Sequence, residues 1–177
     1  MTPALPAPPD RTLIAETVRS KVPFHADLST ISSLPGDASN RRYYRLTLNS
    51  GSRSVILMQL SSPEAFKQSE EAVSGAKTTS TELPFINVLR HLAKADVAVP
   101  VLYHYDQEAG LLYLEDFGDV TLADACTNAP VQTIRTLYRQ AIDMLVRIHT
   151  KATNSPNAGC MAFDRRFDVP LLMWEFD

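Results

Sequence analysis

Gly36-Asp37-Ala38-Ser39-Asn40-Arg41-Arg42-Tyr43-Tyr44-Arg45 is the stretch on which the reading of the fold turns. Five small or polar residues are followed at once by a strand carrying Arg41, Arg42 and Arg45. A tight loop of small residues lets backbone N–H groups approach a phosphate, and arginine supplies the planar charge that phosphate favours. From Arg41 to Leu48 the residues alternate, with Tyr44, Leu46 and Leu48 on one side and Arg41, Tyr43 and Arg45 on the other, the pattern of a half-buried strand. Upstream, Leu28 to Leu34 reads as a first strand. Downstream, Asn49-Ser50-Gly51-Ser52 has hairpin-turn chemistry and returns the chain into Ser54–Leu60, an apolar run suited to a buried strand. Alone, the loop has a plainer reading: it turns the chain, and its arginines form a solvated strand face.

Further out, Asp10 is placed to cap a helix in which Leu13, Ile14, Val18 and Val22 share a face, limited by Pro23. Ser61 to Thr81 is polar, with a short helix opened by Ser62-Pro63-Glu64, and is expected to be mobile. Phe85, Ile86, Leu89, Leu92 and Ala93 restore helical spacing up to Val99-Pro100. Val101–Tyr105 and Leu111–Glu115 read as two strands joined by the Gln107–Gly110 turn, and Thr121–Cys126 as a brief helix. Asn128-Ala129-Pro130 then opens a long helix, Val131–Thr150. Ile134, Leu137, Tyr138, Ala141, Leu145 and Ile148 form an apolar stripe along it that needs a partner.

Bulk properties bound the function. With 177 residues, 45% of them hydrophobic, the chain can build an ordinary core. A formal net charge of −3 gives no footing for nucleic acid, whose binding leans on clustered positive charge. Cys126 and Cys160 lack metal-ligand spacing and read as free thiols. Residues Met1–Pro9 are Pro/Ala-rich, with no basic segment and no long apolar run, so the expectation is a disordered leader on a cytoplasmic protein with no membrane partner.

Leu111-Leu112-Tyr113-Leu114-Glu115-Asp116-Phe117-Gly118-Asp119 is an apolar strand that breaks into an acidic, glycine-containing linker. Its plain reading is a strand-to-helix loop with turn residues; its functional reading is a hinge that offers backbone N–H and C=O groups to an adenine edge. Asp116-Phe117-Gly118 spells a kinase metal triplet, and His104-Tyr105-Asp106 mimics the start of a catalytic loop. Both are rejected. A catalytic loop needs an Asn five residues after its Asp, where this chain has Leu111, and both motifs precede the long helix that they should follow. His25, His91, His104 and His149 show no metal or triad spacing, and His149 reads as a capping or packing residue. Asp164, Arg165, Arg166 and Asp168 read as a surface ion-pair cluster, and Val169–Trp174 as the start of a packed helix.

Taken together, these pieces resemble the aminoglycoside phosphotransferase-like family, which shares the protein-kinase fold. Within it the chain looks most like the bacterial anomeric kinases of N-acetylmuramate and N-acetylglucosamine used in cell-wall recycling. The matching pieces are Gly36-Asp37-Ala38-Ser39-x-Arg41-Arg42-Tyr43-x-Arg45, Pro84-Phe85, Val99-Pro100, Leu114-Glu115-Asp116-Phe117-Gly118-Asp119 and Val169-Pro170-Leu171-Leu172-Met173-Trp174-Glu175, covering nearly everything from Ser32 to Asp177.

The resemblance implies an α+β, protein-kinase-like architecture: an antiparallel-sheet N-lobe with one packed helix, then the first helices of a C-lobe. The implied division is a leader over 1–9, an N-lobe over 10–118, and a hinge exit with an incomplete helical C-lobe over 119–177. It also implies ATP and Mg²⁺ as cofactors and a small sugar as acceptor. Gly36, Asp37, Ala38, Ser39, Asn40, Arg41, Arg42, Met58, Glu115, Asp116 and Phe117 would meet the nucleotide, with no catalytic or metal-binding residue in this chain. One departure stands out. The strand Val55-Ile56-Leu57-Met58-Gln59 carries no lysine where protein kinases have one, and none occurs between Lys21 and Lys67. Phosphate charge then falls to Arg41, Arg42 or Lys67. No catalytic loop follows the long helix, so the expectation is a fragment or a naturally short chain that is inactive by itself and self-associates through its long helix. The alternatives are a kinase for an aminoglycoside, choline or homoserine, or a non-catalytic nucleotide-binding or interaction module.

Overall fold

The computed structural model describes residues 8–35, 41–49, 51, 53–61, 82–154 and 159–163. Contacts divide the chain into two compact units, Met1–Ser69 with Pro100–Phe117, and Glu70–Val99 with Gly118–Asp177.

The first unit is a five-stranded antiparallel sheet with a helix on one face. Helix α1 (Arg11–Lys21) starts where expected, because the Asp10 carboxylate accepts from the Thr12 N–H at 2.7 Å and satisfies a donor that the first turn leaves unpaired. Strands β1 (Leu28–Ser33), β2 (Arg42–Leu48), β3 (Ser54–Gln59), β4 (Leu102–Asp106) and β5 (Leu111–Glu115) lie in the order β1-β2-β3-β5-β4. Alternation on the strands sorts the side chains. Tyr44, Leu46 and Leu48 of β2, Val55 and Leu57 of β3, and Leu111 and Tyr113 of β5 share one core cluster with Ile14 and Val18 of α1 and with Val22, which follows the helix in extended backbone. The spacing of four between Ile14 and Val18 sets them on one helical face. Fully burying a Leu or Val contributes about 1.5–3 kcal/mol, so Leu57→Ala in this dry layer would cost about 2–5 kcal/mol.

The turns follow their residues. Gly51, at φ 87°, sits in the β2–β3 turn, which the Leu48 N–H to Arg53 C=O bond closes at 3.0 Å. In the β4–β5 turn the Asp106 carboxylate accepts from the Ala109 N–H at 3.0 Å, and Gly110 takes φ 66°. His104-Tyr105-Asp106 is thus part of β4 and its turn, a hairpin rather than a catalytic loop.

The second unit is helical. It contains α2 (Pro84–Lys94), α3 (Leu122–Cys126), α4 (Val131–Arg147), a wide π-type turn at Ile148–Ala152 and a short 3₁₀ turn at Met161–Phe163. Thr121 and Asp124 cap α3 reciprocally. Ala95, Val97 and Ala152 form its small core, with Leu92, Val99, Met144 and Ile148 against it. The expectation of one regular helix from Val131 to Thr150 needs correction at its end. The α-helical bonding stops at Arg147, and the wider turn carries Ala152 into the core, where His91 of α2 meets its carbonyl at 2.8 Å. Of the apolar stripe, Ile134, Leu137 and Ile148 are half-buried, whereas Tyr138, Ala141 and Leu145 are exposed. Among the described residues α4 contributes no fully buried side chain.

Candidate nucleotide-hinge site

Strand β5 places the hinge residues. Its Glu115 stands opposite Val55 of β3, and just beyond it the chain leaves the sheet. Two bonds tie Glu115 to the entry of β4. Its N–H donates to the Val101 carbonyl at 2.9 Å, and its carboxylate accepts from the Val101 N–H at 3.1 Å.

Asp116 is held on the other side. Its side chain is only 5% exposed. Arg45 Nε donates to Oδ2 at 2.6 Å and Nη2 to Oδ1 at 3.2 Å, a side-on fork from β2. Ser54 Oγ, at the start of β3, donates to Oδ2 at 2.6 Å. A buried carboxylate is tolerable when it is paired and hydrogen-bonded, and Asp116 meets both conditions. Both of its oxygens are engaged by protein donors. Among the described residues no three His, Cys, Asp or Glu side chains form a group that could hold a metal ion.

Phe117 differs from its neighbours. Its ring is 67% exposed, and among the described residues nothing bonds to its backbone N–H or C=O. Gly118 follows at φ 79°, a left-handed conformation that turns the chain out of the strand direction.

The sheet face away from α1 is read from cross-strand register. Tyr43 stands opposite Met58 and Met58 opposite Leu112; Arg45 stands opposite Ile56 and Ile56 opposite Leu114. Met58 and Leu112 are fully buried, whereas Arg45 and Ile56 are half-buried. Arg42, which opens β2 opposite Gln59, falls by the same alternation on the α1 side with Tyr44, one residue after the half-buried Arg41. The structure therefore places Arg42, Met58, Glu115 and Asp116 on three adjacent strands and their exits, with Arg42 and Met58 on opposite faces of the sheet. Gly36, Asp37, Ala38, Ser39 and Asn40 lie outside the described residues, as do the leader through Ala7, the polar segment after Ser61 with its expected helix at Ser62-Pro63-Glu64 and Lys67, and the run Asp164–Asp177.

The tyrosines of β4 and β5 report on their surroundings. Burial pushes the Tyr113 phenol up to about 12, with Thr17 of α1 acting against it and Asp106 adding to it. Burial also raises Tyr103 and Tyr105, helped by the charges of Glu115 and Asp106 respectively.

A family model now bears on these features. The model of the phosphotransferase enzyme family matches residues 30–175, most of the chain. The chain belongs to the phosphotransferase enzyme family. No curated protein matches it significantly. As a member of that family it is a phosphotransferase of the small-molecule-kinase type, in the protein-kinase-like superfamily, whose members generally use ATP and Mg²⁺. The sheet-plus-helix architecture agrees with the kinase-like N-lobe expected from sequence. Among the described residues no helix is long and apolar enough to cross a membrane.

Sequence reasoning singled out Asp116 as a hinge residue and counted Arg45 among the three arginines that follow the phosphate-like loop, with a solvated strand face as the plainer alternative. It missed that the two meet, and it missed Ser54. The available signal was the alternation in β2, which places Arg45 on the face away from the apolar core; the partner 71 positions on could not be read from it.

Proposed function

We propose that this phosphotransferase moves the γ-phosphate of ATP to a hydroxyl of a small sugar of the N-acetylmuramate or N-acetylglucosamine type, and that this chain supplies the nucleotide-binding wall. The observation that carries the nucleotide part is the exit of β5. Glu115 spends its N–H on Val101, leaving its carbonyl and the Phe117 N–H, two residues further on, as the acceptor and donor for an adenine edge. Arg41 and Arg42, at the entry of β2, would meet phosphate oxygens together with the backbone of Gly36–Asn40. Catalysis of this class is mostly positioning and charge neutralisation, so a wall of this kind contributes orientation more than bond-breaking chemistry. Self-association through a second copy of α4 belongs to the same reading, and the exposed Tyr138, Ile142 and Leu145 support it.

A second reading, a nucleotide-binding module without transfer activity, is favoured by one observation. β3 carries the buried, uncharged Met58 on the strand where protein kinases carry their phosphate-pairing lysine.

Titration with ATP and adenosine tests the phosphate assignment. Arg41→Ala or Arg42→Ala should weaken ATP binding about tenfold and leave adenosine unchanged. Unchanged ATP affinity in both variants would move the phosphate role to Lys67 or elsewhere. Labelled-phosphate transfer to a panel of amino sugars, aminoglycosides, choline and homoserine then separates the readings. Binding without transfer to any of them selects the second.

A further inference from the structure

The Arg45–Asp116–Ser54 cluster joins three strands at the point where the hinge leaves the sheet. Arg45 is on β2, Ser54 begins β3 and Asp116 follows β5 directly. The Arg45 and Ser54 side chains converge on the Asp116 carboxylate, which is 5% exposed. An ion pair withdrawn from water is poor value for stability alone, since apolar residues of similar volume in its place are often as stable or more so. What such a pair does supply is a fixed direction. The side-on fork of a guanidinium admits one orientation of the carboxylate plane, and the Ser54 hydroxyl fixes the oxygen nearer β3. With its side chain anchored two strands away, Asp116 has little freedom to rotate about its own φ and ψ. Its neighbours Glu115 and Phe117 carry the two groups assigned above to adenine.

We propose that Arg45 is a positioning residue for nucleotide recognition: by holding Asp116 it sets the Glu115 carbonyl and the Phe117 N–H at the spacing of an adenine edge. The inference rests on the hinge reading given under Proposed function. It makes Arg45 an indirect determinant of base specificity, although the residue belongs to the strand that leaves the phosphate loop. Arg45 therefore links the two halves of the nucleotide site, because a shift of β2 reaches the hinge through the fork.

The test compares ATP with an analogue whose adenine N1 is replaced by C–H, following the Phe117 amide by NMR at up to millimolar nucleotide in the complete chain. The wild type should favour ATP over the analogue about tenfold, the usual effect of removing one partner of a desolvated hydrogen bond. Arg45→Met keeps the bulk and removes the fork, so the preference should fall towards one while inorganic tripolyphosphate binds as before. Arg45→Lys, which keeps the charge and preserves the fold should the methionine variant melt early, should lose most of the preference, since an ammonium cannot fork. A wild type that binds ATP and the analogue equally, or whose Phe117 amide does not shift, overturns the hinge reading and this inference with it. A wild-type preference that survives in both Arg45 variants overturns the positioning role alone.

Discussion

His91 and Ala152, 61 positions apart, meet where α2 faces the turn that follows α4: the His91 Nε2 lies 2.8 Å from the Ala152 carbonyl oxygen. Nε2–H is the donor, because a carbonyl can only accept. The same imidazole packs edge-on against Phe163, with ring centroids 5.2 Å apart. Ala152 belongs to a turn too wide for the ordinary helical bond pattern, and His91 supplies a partner that regular helix would have drawn from the backbone.

His91→Ala should therefore destabilise the helical unit by about 2–3 kcal/mol, combining a stranded buried carbonyl with a lost aromatic contact. His91→Gln, which can still donate, should recover part of that. Urea titration followed by helical circular dichroism reads both. A loss below about 0.5 kcal/mol in the alanine variant would mean that water reaches Ala152 unaided.

Tyr113→Phe should stabilise the sheet unit by about 1 kcal/mol at neutral pH, because the hydroxyl is buried with no partner in hydrogen-bond geometry among the described residues. The pH dependence has a definite sign. Tyr113 loses its proton at about 12 in the folded chain and near 10 when unfolded, so the unfolded state gives up protons first and stability falls from about pH 10 to about pH 12. Below pH 10 the group adds no slope. Phenylalanine should flatten that alkaline decline, and parallel melting curves at pH 9 and 11 would show it. Equal declines in the two proteins would place the phenol in contact with solvent.

Gly118→Ala meets no atom within 4 Å of the added Cβ, so its cost comes from backbone conformation alone. At φ 79° that should be about 1 kcal/mol. Nucleotide affinity should drop as well if the hinge reading holds, because relief of the strain rotates the neighbouring Phe117 amide. Thermal melts with and without ATP separate the two effects.

Ile142→Glu and Leu145→Glu change side chains that are 55% and 53% exposed on α4. Each should cost less than about 0.5 kcal/mol of unfolding free energy, as surface substitutions usually do. If α4 binds a second copy of the chain, the double variant should sediment as a smaller species than the wild type at the same concentration. A cost above about 2 kcal/mol in a chain that sediments as a monomer would mean that this face is covered from within.

Strands were the most legible part of the sequence, because period-two alternation ties each side chain to a face. Tyr44, Leu46 and Leu48 are buried as a set for that reason, and Leu111–Glu115 has the expected bounds. The cap at Asp10 was legible because one side chain does the work. The wide turn after Arg147 was not, since it answers to His91 and the small core around Ala95 and Val97 rather than to local pattern. The same limit hid the candidate site's central contact. Arg45, Ser54 and Asp116 each look like surface residues in one dimension, and only the strand order makes them neighbours. The loop Gly36–Asn40, where the sequence was most suggestive, lies outside the described residues.

The place of β5 between β3 and β4 has a consequence for synthesis on the ribosome. β1, β2 and β3 are made first and can pair as consecutive hairpins, yet the far edge of β3, with Val55 and Leu57 beside it, has no neighbour until Leu111–Glu115 is made. An apolar strand with one unpaired edge is a template for pairing with another chain. A ribosome that stalls after β3 has left its exit tunnel and before β5 has done so would therefore hold a nascent chain open to capture by its neighbours on the same message. Asp116, arriving immediately after β5, would close the fork with Arg45 as that exposure ends. Slow codons that hold β5 inside the tunnel while β3 is outside should raise insoluble yield more than slow codons near the end of the message, even though the protein they encode is the same.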